Sequence, residues 1–149
     1  MKLYELIMEY REKYGLPSVP ISPSLTFVAQ THVRDLEENN LDQGSCNMHS
    51  WSSKGSWSSC CYTSDHAEAK CMWDKPRELT SYHGDGFEIA FWCSADANAN
   101  EALESWKSSS GHNEVIINSG IWRDNPWQAI GIGIFGSYAV VWFGTELEK

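Results

Sequence analysis

One stretch of the chain, residues 86–112, joins a strand pattern directly to a helix pattern and restricts the fold class most tightly. Phe87, Ile89 and Phe91 alternate onto one face, and Glu88 points to the other, as expected of a half-buried β-strand. A helical apolar stripe follows, made of Ala99, Ala102, Leu103 and Trp106. The chain therefore contains a strand followed at once by an amphipathic helix.

The two ends of this unit hold the first candidate functional residues. Asn98, followed three residues later by Glu101, has the form of a capping pair that begins the helix. We expect Gly111 to end it just before His112. A carboxylate, Glu88, and an imidazole, His112, then lie at opposite ends of the unit, each beside aromatic residues.

Two amphipathic helices are predicted before this unit. Apolar residues at helical spacing predict the first over residues 3–14, and Gly15 ends it. The second runs from about 24 to 38, and either Ser22 or Ser24 can cap it. His32 lies on or next to its buried stripe, where a histidine at the edge of the core with a hydrogen-bond partner is expected.

The region from residue 40 to about 84 is polar and shows no sustained periodicity. A structureless loop of this length is uncommon unless it is functional or covalently tied. Four of the five cysteines lie here, so we expect at least one disulfide, although free thiols are the alternative. Adjacent cysteines are unsuited to pairing with each other, and Cys93 is the candidate free thiol, with a disulfide to one of the loop cysteines as the alternative. The loop cysteines are Cys46, Cys60, Cys61 and Cys71.

Two strand patterns close the chain, Ala129–Phe135 and residues 138–143, joined at Gly136-Ser137 in the manner of a type II′ turn. Gly131 and Gly133 alternate with isoleucines, so one strand face is bare and can be approached closely by another backbone or helix.

The element order predicts an α+β fold, a three-layer α-β-α sandwich with a small antiparallel sheet and a long disulfide-tied loop. We expect a single domain over residues 1–149.

Charge and hydropathy exclude several partners. The net charge is −9, which argues against nucleic acid. No apolar run approaches the roughly 18 residues of a membrane span.

The first five residues do not have the pattern of a secretory leader. The protein is then either cytosolic or has a leader outside this chain. Because disulfides form in oxidising compartments, we expect the second, a secreted or periplasmic protein.

Several short motifs occur in a characteristic order. They are Y-R-x-x-x-G-L-P from Tyr10, A-x-x-H from Ala29, His49-Ser50, G-x-E-I-A from Gly86, W-x-x-S-x-G-H from Trp106, and then I-G-I-G-I. Over residues 3–144 this set resembles the CAP superfamily, the cysteine-rich secretory, antigen 5 and pathogenesis-related 1 group, and its bacterial SCP-like branch in particular. Relative to members of that superfamily, the segment from about 46 to 84 is a long insertion.

The resemblance implies an α-β-α sandwich whose cleft holds two histidines and two acidic residues that bind a divalent metal. His49, Glu88 and His112 match three of these positions and are the predicted ligands of zinc or another divalent metal. The chain departs from the family at Ile89, where an asparagine is usual, and at Ser109, where the second acid is expected. Glu104, Glu114 and Asp85 are candidate substitutes.

Two interpretations of the cleft remain open on the sequence alone. Two imidazoles and a carboxylate can form an open metal site, or they can hydrogen-bond one another and tie the loop to the sheet. The leading functional hypothesis is a non-enzymatic binding module for a protein partner or a small apolar ligand, contacted by Trp51 and Trp106. The resemblance implies a lipid or sterol. The alternative is a metal-dependent, peptidase-like hydrolase that uses the same cleft, although no known catalytic motif is present.

Overall fold

A computed structural model describes residues 2–149. Within them the helices and strands follow one another with short connections, apart from the segment between the second and third helices. Their bounds are α1 Lys2–Glu12, α2 Pro23–Asn39, α3 Ala69–Leu79, β1 Phe87–Trp92, α4 Ala99–Lys107, α5 Ser110–Ile116, a 3₁₀ turn Gly120–Trp122, β2 Ala129–Phe135 and β3 Tyr138–Gly144.

The three strands form one antiparallel sheet in the order β1-β3-β2. β3 is central, with Glu88 of β1 opposite Trp142 and Ile130 of β2 opposite Phe143. The hairpin between β2 and β3 is confirmed, and Gly136 takes the positive φ of 58° that the first turn residue needs. β1 is therefore an edge strand.

The sheet separates two apolar cores, which confirms the predicted α-β-α sandwich. One core lies between the sheet and α1, α4 and α5. The other lies between the sheet and α2, with the segment before β1 packed at its side. Period-two alternation assigns β1 residues to the two cores, since Ile89 is buried in the first and Ala90 in the second.

The bare strand face predicted at the two β2 glycines is the surface on which α2 packs. A Cβ atom on Gly131 would lie 2.1 Å from the carbonyl carbon of Leu25, and one on Gly133 would lie 2.5 Å from the carbonyl oxygen of Ala29. The backbones of helix and strand are in contact because neither glycine has a side chain. This close packing brings α2, and His32 with it, down onto the sheet.

The predicted helix starts are confirmed at two positions. The Ser22 side chain accepts a hydrogen bond from the Leu25 amide, and the Asn98 side chain accepts one from the Glu101 amide. The predicted break at Gly111 is wrong, because Gly111 and His112 lie inside α5, which begins one residue earlier. A glycine in the first turn costs a helix little when tertiary packing holds that turn.

The prediction of a structureless region from 40 to 84 is wrong for its last part, which forms α3. Its apolar residues Ala69, Met72, Trp73 and Pro76 recur at helical spacing, but the proline inside the pattern hides it, since proline usually ends or kinks a helix. Lys75 is also buried, and its ammonium group donates to the Ser58 carbonyl oxygen at 2.6 Å and to Glu78 at 2.9 Å. These tertiary contacts help to hold α3 in place.

Two disulfides hold the same region and confirm the prediction of at least one. Cys46 pairs with Cys61, and Cys60 pairs with Cys71. The adjacent Cys60 and Cys61 therefore belong to different disulfides, and Cys93 is the free thiol. The second disulfide joins the loop to α3.

Candidate functional site

Glu88 is the centre of the candidate site and lies on the α2 side of β1. Its side chain is fully buried, and both carboxylate oxygens accept hydrogen bonds from histidines. One oxygen lies 2.5 Å from His32 Nδ1, and the other lies 2.8 Å from His49 Nδ1. Burial raises the pKa of Glu88, but the charges and hydrogen bonds of the two histidines outweigh it and hold the pKa below its usual value. Glu88 is therefore an anion in the protein interior.

Both ring nitrogens of His32 are hydrogen-bonded. Its Nε2 lies 2.8 Å from the carbonyl oxygen of Ser50, which can only accept, so Nε2 donates. Its Nδ1 faces Glu88. The ring of His32 also stacks on the indole of Trp51 at 4.1 Å between ring centroids.

His49 presents its second nitrogen to ligands. Because Nδ1 faces Glu88, Nε2 is the nitrogen that remains for a ligand. The short segment after α2 positions this histidine, since its own amide donates to the Asn47 side chain at 2.9 Å. Glu88 thus fixes the ring orientation of His49.

His112 reaches the same pocket from the first turn of α5. Its Nδ1 lies 2.8 Å from the Ser109 hydroxyl, so Nε2 remains for a ligand here too. Burial, together with the charge of His49, lowers the pKa of His112 below its ordinary value near 6.5. His112 is therefore neutral at pH 7.

These groups line one side of a pocket of about 450 Å³ at the free edge of β1. A volume of this size suits a small organic ligand, since such pockets measure about 300–1,000 Å³. Apart from the site residues Glu88, His49, His112 and Ser109, the lining is mainly apolar and aromatic. It consists of Tyr62, His66, Ala69, Met72, Trp73, Phe87, Ile89, Gly111, Val115, Ile121 and Trp122.

The fold brings together the three predicted metal ligands, since His49, Glu88 and His112 all line this pocket. It places the two predicted ligand-contacting tryptophans elsewhere. Trp51 is buried against His32, and Trp106 is buried below β1, where its Nε1 donates to the Ala90 carbonyl oxygen at 3.0 Å. Neither side chain lines the pocket, so neither belongs to the site defined here.

Sequence reasoning missed other residues of the site. Trp73 and Trp122 are the tryptophans that line the pocket, and Ser109 orients His112. His32 was expected to be a buried, hydrogen-bonded histidine, which is confirmed, but its partner is the site carboxylate itself. The available signal was the spacing of Ser109 and His112, one helical turn apart.

None of the three candidates for a second acid lines the pocket. Glu104 is paired with Lys107, and Asp85 is paired with Arg77. The Glu114 carboxylate lies beside Gly120. The position that corresponds to the family's second acid is Ser109, a neutral hydroxyl.

The side chains of the pocket limit the kind of metal site that it could form. Among residues 2–149 no cluster of three or more His, Cys, Asp or Glu side chains is placed to hold a metal ion. Both oxygens of Glu88 are already bonded to imidazoles, so Glu88 orients a ligand rather than acting as one. The ring nitrogens of the site histidines that remain for a ligand are His49 Nε2 and His112 Nε2.

Among residues 2–149, no helix combines the length and the hydropathy that a membrane span requires.

The sequence matches the family model of the cysteine-rich secretory protein family, CAP, over residues 4–121. The match covers more than half of the chain, and the fold has the expected layers. The chain therefore belongs to the CAP family. The comparison with curated proteins finds no match.

Three solved structures show the same fold. An outer surface protein from Borrelia burgdorferi has a TM-score of 0.62 at 20% identity, over 99% of this chain and 90% of that one. A cysteine-rich secretory protein from Staphylococcus aureus has a TM-score of 0.59 at 19% identity, over 97% of this chain and 38% of that one. An extracellular SCP-domain protein from Bacillus anthracis has a TM-score of 0.64 at 16% identity, over 97% of this chain and 39% of that one. The chain thus spans about two-fifths of the latter two proteins, and the likeness is one of fold.

Proposed function

We propose that this chain is an exported CAP binding module whose pocket takes a small ligand with an apolar body and one polar group. The observation on which the proposal rests is the composition of the pocket wall. Aromatic and aliphatic side chains form most of it, and neutral His112 with Ser109 forms a compact polar part. Such a wall suits a lipid-like molecule whose single polar group meets the imidazoles.

The mouth of the pocket favours an apolar ligand as well. Ile121 is 79% exposed and Trp73 is 40% exposed, and both belong to the pocket lining. Exposed apolar groups next to a cavity are typical of a binding site. A ligand longer than the cavity would lie against them.

Export is part of the same proposal. Two disulfides tie the loop that forms one wall of the pocket, and disulfides persist in oxidising compartments. Two of the proteins with the same fold are described as secretory or extracellular. We therefore propose that the protein is secreted or periplasmic.

Metal binding is proposed as a second property of the polar part. His49 and His112 would hold a zinc ion through their Nε2 atoms, and Glu88 would keep His49 in the required tautomer. A bound zinc ion would supply Lewis acidity for the polar group of the ligand. A metal-dependent hydrolase is the weaker alternative, because Glu88 is held by two histidines and is not placed to act as a base.

Ligand binding can be tested with dodecanoic acid and cholesterol sulfate as probes, followed by calorimetry and by tryptophan fluorescence. Ile121→Glu places a charge at the mouth of the pocket and should weaken binding at least about tenfold. Ile21→Glu is the matched control, because Ile21 is 49% exposed and lies outside the pocket. Equal affinity in both variants, or no binding of either probe, would contradict the proposed function.

A further inference from the structure

A second groove, of about 500 Å³, lies on the outer side of α2 and shares no lining residue with the pocket at β1. One wall is the exposed side of α2, and the other is the serine-rich loop that follows it. The lining consists of Phe27, Gln30, Thr31, Arg34, Asp35, Glu38, Asn39, Lys54 and Trp57. Most of these side chains are polar, in contrast to those of the first pocket.

Two aromatic rings line the groove. Phe27 is 54% exposed, which is a large exposed fraction for a phenylalanine. Trp57 is held in place, since its Nε1 donates to the Ser52 carbonyl oxygen at 2.8 Å and its ring meets the edge of Trp51. The groove therefore offers one accessible ring and one fixed ring.

A buried carboxylate fixes the loop against the helix. Asp35 is 4% exposed and accepts hydrogen bonds from the amide and the hydroxyl of Ser52, at 2.9 and 2.5 Å. Asn39 donates to the same carboxylate at 2.8 Å. The Ser52 hydroxyl in turn accepts from the Lys54 amide at 3.0 Å. These hydrogen bonds hold the two walls of the groove together.

Other polar side chains of the groove remain available to a ligand. The side chains of Gln30, Thr31 and Lys54 form no hydrogen bond or ion pair with the part of the chain that the structure describes. They provide an amide, a hydroxyl and an ammonium group, which together can both donate and accept. Arg34 lies over the ring of Phe135 at 4.4 Å, which fixes its guanidinium group at the rim.

The charges of the groove balance, with Arg34 and Lys54 against Asp35 and Glu38. Such a site does not select a phosphate, a metal cation or a nucleic acid, and it is too polar for a lipid chain. A neutral polyhydroxyl molecule fits the combination, because its C–H face can pack on an aromatic ring while its hydroxyls bond to amide, hydroxyl and charged groups. We propose that this groove is a binding site for a neutral saccharide.

The test is titration of the chain with three neutral oligosaccharides, chitotetraose, cellotetraose and maltotetraose, monitored by calorimetry and by the NMR signal of the Trp57 indole N–H. We expect at least one sugar to bind and to shift that signal. Phe27→Ala should weaken binding at least about tenfold. Tyr14→Ala is the matched control, because Tyr14 is also 54% exposed and lies outside the groove.

Further variants separate this site from the first pocket. Gln30→Ala, at an exposed helix position, should also weaken sugar binding, whereas Ile121→Glu should leave it unchanged. Melting temperatures of all variants should stay close to that of the unmodified chain. The saccharide site is wrong if none of the three sugars binds, if Tyr14→Ala reduces affinity as much as Phe27→Ala, or if Ile121→Glu abolishes binding.

Discussion

His32 and Glu88, 56 residues apart in sequence, form a hydrogen-bonded pair in the interior, with 2.5 Å between Nδ1 and Oε2. The pair joins α2 to β1, and both side chains are fully buried. His49 adds a third member from the loop at 2.8 Å. Since a buried carboxylate is costly unless it is hydrogen-bonded, the two histidines offset the cost of burying Glu88.

Removing the charge of Glu88 should therefore destabilise the fold. In Glu88→Gln the amide group cannot accept from both histidines, so one buried imidazole nitrogen loses its partner. We expect a loss of about 1–3 kcal/mol or more in the free energy of unfolding, measured by urea denaturation. Glu38→Gln, on the exposed side of α2 with its side chain 57% exposed, is the control and should change stability little. A loss well below about 1 kcal/mol in Glu88→Gln would contradict the buried, hydrogen-bonded carboxylate.

The lowered pKa of His112 predicts that the stability of the fold decreases as the pH drops below neutral. Below about pH 6.5 the unfolded chain binds a proton at this histidine that the folded chain does not yet bind, so stability falls as the pH drops. The fall levels off once the pH passes the lower folded-state pKa. His112→Gln should lose this contribution to the pH dependence. The melting temperatures of the variant and of the unmodified chain should therefore differ by one amount at pH 7.5 and by another at pH 5.5. A pH-independent difference would count against the shift.

The contact between α2 and β2 predicts the effect of adding one methyl group. Gly131→Ala places a Cβ within 2.1 Å of the α2 backbone, which cannot move away like a flexible side chain. We expect a loss of about 1–3 kcal/mol or more in the free energy of unfolding. Gly111→Ala is the matched control, since that Cβ would meet no atom within 4 Å, and it should leave stability unchanged or slightly raised. Equal stability of both variants would contradict the close packing.

Zinc binding tests the polar part of the first pocket. His49→Ala and His112→Ala should each remove most of the affinity measured by calorimetry at pH 7.5, because each supplies one Nε2. His83→Ala, outside the pocket, should leave it nearly unchanged. Affinity should fall as the pH drops through the histidine range near 6.5, since protonated imidazoles do not bind metal. Equal losses in all three variants would place the metal elsewhere.

The disulfide pairs can be checked by alkylation without reductant, followed by mass spectrometry. Only Cys93 should be modified in the native protein, since the other four cysteines are paired. Reduction should lower the free energy of unfolding, because each disulfide closes a loop whose constraint is worth about 3 kcal/mol. Modification of more than one cysteine before reduction would contradict the two pairs.

Local patterns were sufficient for the elements whose burial follows their own periodicity. The alternation at Phe87, Ile89 and Phe91 predicted β1 and placed Glu88 on the opposite face, and Ser22 and Asn98 predicted two helix starts. α3 was missed although its apolar residues recur at helical spacing, because Pro76 lies inside the pattern and proline usually ends a helix. The helix is also held by a disulfide and by a buried, hydrogen-bonded lysine, and neither constraint shows as a period in the sequence.

The order of the layers, the family and three side chains of the pocket could be predicted from the sequence, because these depend on short-range spacing and ordered motifs. The roles of the individual side chains depend on long-range packing instead. His32 proved to be the partner of Glu88, and Trp51 the support of His32 rather than a ligand contact. Whether a buried polar group faces a ligand or another side chain depends on which elements pack across the sheet. Distances between α2, β1 and the loop are set by long-range packing, such as the close approach at Gly131, and local sequence patterns contain no measure of them.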